Sequence, residues 1–335
     1  MPKRHKHKST PETISKKKLK PTTRTELLGK TVSDPLPNVD EDNDSFKKDL
    51  DELLGRRVIF RGRIATVSLE NNYVSKEYID YEPIANNEID ILSKCSNYNI
   101  IQFLGSKKQT MSTSIITTIY LPYYPQGSLL QLIRKLDREY TKETRNQQKL
   151  NRLNIMSQVY IQMKNAITHL KNLNICHSDI RPANILVNNN HFVLCDFGNS
   201  REYGTYKLTE GYCLGFPYIV PPFGIANENA ITFTESYDIW SLAMVMWAVY
   251  FGIGNSDGIF MSKKNLYPYD HETSEMEYWY HSSLILRKVS QMINDIKLLD
   301  SKSNLTNKEK YKRYILERFV IMLDPDQTCK IENLP

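Results

Sequence analysis

Residues 176–187 read CHSDIRPANILV, a short polar run between two apolar segments. His177 is followed two residues later by Asp179 and, five residues after that, by Asn184. The next residues, two short apolar segments around an Asn turn, are typical of a β-hairpin and end at Asp196 in CDFG. Because the ends of a hairpin lie close together, we expect Asp179, Asn184 and Asp196 to share one site. Their carboxylate and amide oxygens suit Mg²⁺, which proteins commonly hold with one or two carboxylates plus substrate phosphates.

The overall composition predicts a soluble globular protein. The chain has 335 residues, of which 40% are hydrophobic and 24% charged, enough for one large domain or two lobes with cores of their own. The five cysteines are scattered and have no C-x-x-C spacing, which argues against a disulfide framework or a zinc site. No apolar run is long enough for a membrane span, and the first residues lack the apolar stretch of a secretory signal. We therefore expect an intracellular protein with no membrane partner.

The positive charge is concentrated at one end of the chain. The net charge is +6, but residues 1–20 carry eight Lys or Arg against the single Glu12, so the remaining residues are close to neutral. This distribution predicts no nucleic-acid surface on the body. KRHKHK and KKKLK resemble a two-part nuclear import signal, and the alternative is a solvated tail without an address on a cytoplasmic protein. Residues 1–50 have no sustained apolar period and are expected to be disordered.

The order of predicted elements is strands first and helices later. Residues 58–79 alternate between β-branched and polar types, which predicts two or three antiparallel strands. NNEIDILSKC predicts a helix, SIITTIYL another strand, and the polar residues 140–150 a surface loop. A long helix then follows with an apolar stripe at helical spacing, made of Ile155, Val159, Met163, Ile167 and Leu170. This order indicates a two-part α+β architecture.

Taken together, these motifs resemble those of the eukaryotic protein kinases, in a divergent serine/threonine form. The pattern H-R-D-x-x-x-x-N matches at His177, Asp179 and Asn184, and D-F-G matches residues 196–198. The resemblance implies a two-lobed kinase fold in residues 53–335. A small, mainly antiparallel β N-lobe is expected at about 53–121, a hinge at 122–126 and a larger helical C-lobe at about 127–335. It also implies ATP and Mg²⁺ as cofactors and proteins as substrates.

The resemblance assigns roles to single residues. Asp179 would orient the substrate hydroxyl and accept its proton, with Arg181 beside the transferred phosphate. Lys76 in VSK would grip the α- and β-phosphates, and Glu88 would pair with that lysine. Asn184 and Asp196 would hold Mg²⁺, and Asp238 in YDIWSLA would support the catalytic loop from behind. The nucleotide-binding positions implied are Phe60, Gly62, Ala65, Val67, Lys76, Leu121, Pro122, Tyr124 and Leu186.

The sequence also departs from the family pattern. In the glycine-rich loop, Phe60 and Ala65 replace two glycines, so only Gly62 can adopt a positive φ at low cost, and we expect weakened nucleotide binding. Phe216, Phe223 and Thr328 stand where the family has a Thr, a Glu and an Arg; the last two normally form a buried ion pair, and both are absent together.

A further departure concerns regulation. Ser178 stands where the family has the arginine of H-R-D, which commonly meets a phosphate on the activation loop. A phosphate orders such a loop only through charge-assisted hydrogen bonds to a cation. We therefore expect phosphorylation at Ser200, Thr205 or Thr209 to add little. Packing would hold the loop instead, with Phe216 and Phe223 as apolar anchors.

Two rival functions remain open at this point. A pseudokinase, that is, a binding or scaffold protein with the same fold, would usually lack at least one of the metal- or phosphate-binding groups. A small-molecule kinase can share the H-x-D-x-x-x-x-N loop, but D-F-G and YDIWSL argue against that class. We therefore predict an ATP-dependent kinase that acts on protein Ser or Thr hydroxyls.

Overall fold

The computed structural model describes residues 56–111, 113–141, 145–207, 230–252, 271–323 and 330–334. The described residues form an antiparallel sheet followed by a mainly helical part, which confirms the predicted α+β kinase architecture. The expected disorder of residues 1–50 concerns residues outside those described. In the described part of the chain, no helix is both long and apolar enough to cross a membrane.

The N-terminal part is a five-stranded sheet with one helix packed on it. Its strand order is β1-β2-β3-β5-β4, and all neighbours are antiparallel. The elements are β1 (Arg56–Arg61), β2 (Ala65–Glu70), β3 (Tyr73–Ile79), helix α1 (Glu82–Lys94), β4 (Gly105–Met111) and β5 (Ser114–Pro122). Helix α1 begins with Glu82 and Pro83 and has Lys94 in its last turn, so its ends match the helix dipole and the fixed φ of proline.

The helical part is built around two long core helices. Helices α2 (Leu129–Arg138), α3 (Arg145–Asn172), α4 (Glu235–Phe251), α5 (His271–Asp300) and α6 (Asn307–Met322) make up this part. Every residue of α4 from Glu235 to Val249 is buried, as expected for a helix that is apolar on all sides and lies inside a core. Helix α3 packs against α4 through its apolar stripe. That stripe was predicted correctly, with Ile155 only half-buried.

Short strand pairs connect the two core helices. The pairs are β6 (Ile175–Cys176) with β9 (Arg201–Glu202), β7 (Ile185–Asn188) with β8 (His191–Leu194), and β10 (Gly204–Lys207) with β11 (Ala230–Phe233). The β7–β8 pair is the hairpin predicted from the sequence. It turns at Asn189, which adopts a left-handed φ of 50°.

One element prediction was wrong in part. Residues 140–150 were expected to form a loop, but α3 already begins at Arg145. Residues 147 and 149–151 in its first turns are exposed, and a polar sequence is compatible with a helix there because Gln, Lys and Leu have good helix propensity. The polar sequence thus predicted correctly that this segment is largely exposed, but it did not predict that the segment is helical.

Candidate active site

The loop that carries Asp179 is fixed from behind by a buried carboxylate. Asp238, in the first turn of α4, accepts hydrogen bonds from the backbone N–H of His177 (2.8 Å) and Ser178 (3.0 Å) and from the Cys176 thiol (3.4 Å). Burial raises the pKa of Asp238 to about 6. Ser178 has a positive φ of 61°, a costly conformation for a residue with a side chain, and the Asp238 bonds hold its backbone there.

The two oxygens of Asp179 lie in different environments. Its Oδ2 accepts from Asn184 Nδ2 (2.7 Å) and from Arg181 Nε (3.1 Å). Its Oδ1 is buried and has no hydrogen-bond partner among the described residues. Burial raises the pKa of Asp179 to about 6, although the nearby Arg181 charge opposes this rise. The carboxylate is thus held in place through one oxygen and keeps the other as an acceptor.

A second set of charges lies between the sheet, α1 and the D-F-G segment. Lys76 Nζ lies 2.9 Å from Glu88 Oε2 and 2.7 Å from Asp196 Oδ1. Lys76 is 9% exposed and Glu88 is 0% exposed. Burial alone would lower the pKa of Lys76, but the two carboxylates raise it well above its usual value. Burial likewise opposes ionisation of Asp196, but Lys76 holds the pKa of that carboxyl below its usual value. Lys76 therefore stays positively charged.

The D-F-G segment is packed against the catalytic loop and α1. The Phe197 ring is buried and contacts the His177 ring edge-on at 4.7 Å between centroids. The Phe197 N–H donates to Glu88 Oε1 (3.1 Å). A Cβ at Gly198 would lie 3.2 Å from Ile84 Cγ2, closer than ordinary van der Waals contact, so a larger residue here would require Ile84 on α1 to shift. Burial lowers the pKa of His177 to about 4, so its ring stays neutral and serves as a packing group.

The predicted adenine-side residues line the junction of the sheet and the helical part. Leu121, near the end of β5, is buried and lies opposite Val74 on β3. Leu186 on β7 forms a bridge with Ser128, at the start of α2. Tyr124, between these two points, is half-buried. The structure thus places the expected hinge next to β7, with Pro122 as the last residue of β5.

In the glycine-rich loop, the Phe60 ring and the Ala65 carbonyl lie close to Gly62. Gly62 donates its N–H to the Ala65 carbonyl (2.9 Å), and a Cβ on it would lie 2.8 Å from Phe60 Cε1 and 3.1 Å from that carbonyl. Its φ is not positive, so the expected advantage of glycine, a positive φ at low cost, does not apply here, and the close contact with Phe60 is the feature that favours glycine. Phe60 is 62% exposed, whereas Ala65 and Val67 are half-buried under the loop.

Two buried hydroxyl contacts were not predicted from the sequence. The Tyr78 hydroxyl donates to Glu88 Oε2, and the Ser200 hydroxyl donates to the His177 carbonyl (3.1 Å). Tyr78 follows Lys76 by two residues on one strand and therefore shares its face, a signal that the sequence contains. Phosphorylation of Ser200 was expected to add little, and the structure shows that this residue is buried. Thr209, Phe216 and Phe223, which belong to the same prediction, and Thr328, which belongs to the absent ion pair, lie outside the described residues.

The comparison with known protein families agrees with this geometry. The protein kinase domain matches residues 66–316, which is well over half of the chain. The chain belongs to the protein kinase family. The probable serine/threonine-protein kinase MARK-C of Dictyostelium discoideum is 29% identical to this kinase over 211 residues, which cover 58% of the chain and 25% of that relative.

Other similar proteins belong to the same broad class. Mitogen-activated protein kinase kinase kinase 3 of Arabidopsis thaliana is 30% identical over 158 residues, covering 47% of this chain and 23% of the relative. The serine/threonine-protein kinase RIM11/MSD1 of Saccharomyces cerevisiae is 29% identical over 190 residues, covering 54% and 48%. The matches therefore span less than half the length of these relatives.

Proposed function

We propose that this chain is an active, Mg²⁺–ATP-dependent protein kinase that phosphorylates Ser or Thr hydroxyls of other proteins. The observation that carries the proposal is the state of Asp179: one buried carboxylate oxygen is fixed by Arg181 and Asn184, and the other has no partner among the described residues. A buried acceptor without a partner is costly, and an incoming hydroxyl would relieve that cost.

The donor set fits Mg²⁺ completed by a nucleotide. Among the described residues, no group of three or more His, Cys, Asp or Glu side chains suits a metal ion. The Asn184 amide nitrogen donates to the backbone carbonyl and Oδ2 of Asp179, so the amide oxygen is the atom suited to a cation. Together with the Asp196 carboxylate it provides the few protein ligands that Mg²⁺ requires when phosphates supply others. Bound there, the ion would neutralise charge on the phosphates.

The remaining residues would position the reacting groups. Asp179 Oδ1 would accept the proton of the substrate hydroxyl, and Arg181 would keep a positive charge beside the phosphoryl group. Lys76, oriented by Glu88, would hold the α- and β-phosphates. In this structure Lys76 also contacts Asp196, so the phosphate-binding and metal-binding groups already adjoin.

The choice of Ser or Thr hydroxyls rests on two points. Arg181 followed by Pro182 resembles the catalytic loop of serine/threonine kinases more than that of tyrosine kinases, and the relatives named above include serine/threonine kinases. A pseudokinase with the same fold is the alternative. The substitutions Phe60 and Ala65 in the nucleotide loop favour it, whereas Lys76, Asp179 and Asp196 favour activity.

The test is transfer of labelled γ-phosphate from ATP to a generic protein, followed by phosphoamino-acid analysis. Asp179→Asn should lower turnover by about 10²- to 10⁴-fold, because it removes the proton acceptor while keeping the shape of the side chain. Asp90→Asn is the matched control, since Asp90 is exposed and lies in an exposed i,i+4 ion pair with Lys94.

Three outcomes have distinct meanings. Labelled phosphoserine or phosphothreonine, lost in Asp179→Asn and kept in Asp90→Asn, supports the proposal. Wild-type turnover in Asp179→Asn refutes the assignment of Asp179. If the wild-type protein gains thermal stability with Mg²⁺–ATP but transfers no phosphate, the pseudokinase alternative is correct.

A further inference from the structure

Tyr78 has a polar contact in the site that the family motifs discussed above do not include. It lies on β3, is 2% exposed, and donates its hydroxyl proton to Glu88 Oε2. Its ring also lies beneath the Lys76 ammonium group, 5.2 Å from the ring centroid. One buried side chain thus contacts both members of the Lys76–Glu88 ion pair.

The hydroxyl completes the hydrogen bonding of a fully buried carboxylate. Glu88 Oε1 accepts from Lys76 Nζ (3.0 Å) and from the Phe197 N–H (3.1 Å). Glu88 Oε2 accepts from Lys76 Nζ (2.9 Å) and from Tyr78. Each oxygen therefore has one bond to the lysine and one to a neutral donor. Without the Tyr78 hydroxyl, Lys76 Nζ would be the one donor to Oε2 that remains among the described residues.

Tyr78 also lies where three elements meet. A Cβ on Gly198 would lie 3.4 Å from the Tyr78 hydroxyl oxygen and 3.2 Å from Ile84 on α1. The hydroxyl thus sits between β3, α1 and the D-F-G segment. Burial raises the pKa of Tyr78 far above the physiological range, so the hydroxyl keeps its proton and remains a donor.

We propose that Tyr78 is a positioning residue for phosphoryl transfer, which acts by holding the Glu88 carboxylate in the orientation that fixes both Lys76 and the backbone of Phe197. The effect on kcat/KM can be measured only if the chain has the proposed kinase activity, so this part of the inference rests on the proposed function. A second readout, at the Phe197 amide, does not depend on that activity.

The principal variant is Tyr78→Phe, which keeps the ring and removes the hydroxyl. Tyr73→Phe is the matched control, because Tyr73 lies on the same strand and donates its hydroxyl to Glu70 (3.1 Å) away from the site. Tyr78→Phe should lower kcat/KM for ATP-dependent transfer by about tenfold, the usual size of one hydrogen bond to a charged group. Tyr73→Phe should leave it unchanged.

A double-mutant cycle tests whether Tyr78 acts through Glu88. In the Glu88→Ala background, Tyr78→Phe should have no further effect on the residual rate. If the fold-reductions in rate caused by the two substitutions multiply, Tyr78 acts independently of Glu88 and the proposal is wrong. If Tyr78→Phe alone changes thermal stability but not kcat/KM, Tyr78 is only a structural residue.

Amide exchange separates this proposal from the proposed function. Tyr78→Phe should speed hydrogen exchange at the Phe197 amide several-fold, because a looser Glu88 is a weaker acceptor for that N–H. Tyr73→Phe should not. If the wild-type protein transferred no phosphate but the Phe197 amide responded as expected, the kinase proposal would fail and the positioning contact would stand. Unchanged exchange in Tyr78→Phe would overturn the positioning role.

Discussion

Phe233→Leu is expected to release the segment that follows D-F-G. That segment is paired at two places: β9 lies against β6, and β10 lies against β11, which ends at Phe233. Phe233 is buried and forms an anchor cluster with Arg201, Tyr206 and Tyr237. The substitution keeps an apolar side chain at position 233 but removes the aromatic ring.

The size of the effect can be worked out from the contacts of the ring. The Arg201 guanidinium lies 4.3 Å from the Phe233 centroid, and such a cation–π contact contributes about 0.5–1 kcal/mol at a partly exposed site. The rings of Tyr237 and Tyr206 lie 5.0 and 5.7 Å away, and each aromatic pair adds about 0.5–1.5 kcal/mol. A loss of about 2 kcal/mol follows, equivalent to roughly 30-fold in the equilibrium between the paired and released strand.

Hydrogen exchange measured residue by residue is the appropriate assay. Amides of β10 should exchange about 30-fold faster in Phe233→Leu if exchange proceeds by local opening. Phe251→Leu is the control, because Phe251 loses comparable ring contacts with Trp247 and Tyr250 at the other end of α4. It should lower global stability without selectively exposing β10. Equal protection of β10 in wild type and Phe233→Leu would refute the anchor.

The same anchor predicts that the wild-type kinase is active without phosphorylation. Protein made in bacteria and treated with a phosphatase should retain most of its transferase activity, because packing and strand pairing already hold the segment. Thr205 is exposed and hydrogen-bonds to Thr232 across the β10–β11 pair (2.9 Å). A large loss of activity after phosphatase treatment, restored by phosphorylation of Thr205, would show that a phosphate is needed and that the reasoning from Ser178 is wrong.

Two further predictions concern the Asp179 carboxylate, which we propose as the proton acceptor, and the N-terminal tail. Because protonated Asp179 cannot accept a proton, the transfer rate should fall as pH drops through about 6. Arg181→Gln should move this midpoint to higher pH, because it removes a charge that stabilises the carboxylate, whereas Arg181→Lys should leave the midpoint in place. An unchanged midpoint in Arg181→Gln would contradict the assignment of Asp179. We also propose that residues 1–20 direct the protein to the nucleus, so their deletion should move a fluorescent fusion to the cytoplasm without changing activity in extracts, and an unchanged distribution would leave the solvated-tail interpretation.

The sequence predicted best the elements with a clear hydrophobic period. The β7–β8 hairpin and the stripe of α3 follow from apolar residues at regular spacing, because burial on one side imposes that spacing. Strand β4 was missed: its sequence GSKKQTM lies at a sheet edge, exposed along nearly its whole length, so no alternation marks it. Lysines are common on such edges because they discourage pairing with another chain.

Site residues that belong to a motif with fixed spacing could be predicted from the sequence. Contacts between residues that only the fold brings together could not. Asp179, Asn184 and Asp196 come from short motifs at the two ends of one hairpin. Tyr78 and Ser200 belong to no motif. Their roles depend on the groups that the fold places beside them, the Glu88 carboxylate and the His177 carbonyl. The anchor cluster likewise joins Arg201 to Phe233, residues separated by a long stretch of chain, so local patterns could not indicate it.

The replacement of the family arginine by Ser178 changes the kind of interaction that holds this region. The Ser178 hydroxyl donates to the Asn199 carbonyl (2.7 Å), and the Arg201 side chain donates to the same oxygen through Nε and a terminal nitrogen (3.3 and 3.2 Å). A guanidinium therefore still lies beside position 178. It is oriented onto the Phe233 ring and the Asn199 carbonyl, so these contacts of Arg201 hold the segment by packing and hydrogen bonding to the backbone.

The neighbouring contacts link this region to α1. Asn87 Nδ2 donates to the Ser200 carbonyl (2.8 Å), and the Ser200 hydroxyl donates to the His177 carbonyl (3.1 Å). Asn87 precedes Glu88 on α1, so one turn of this helix carries both the bond to the segment after D-F-G and the ion pair with Lys76. Neutral hydrogen bonds depend little on salt and need no phosphate. We therefore expect a shift of α1 to weaken both the Lys76–Glu88 ion pair and the bond to the segment after D-F-G, with the Tyr78–Glu88 hydrogen bond linking the helix to the sheet.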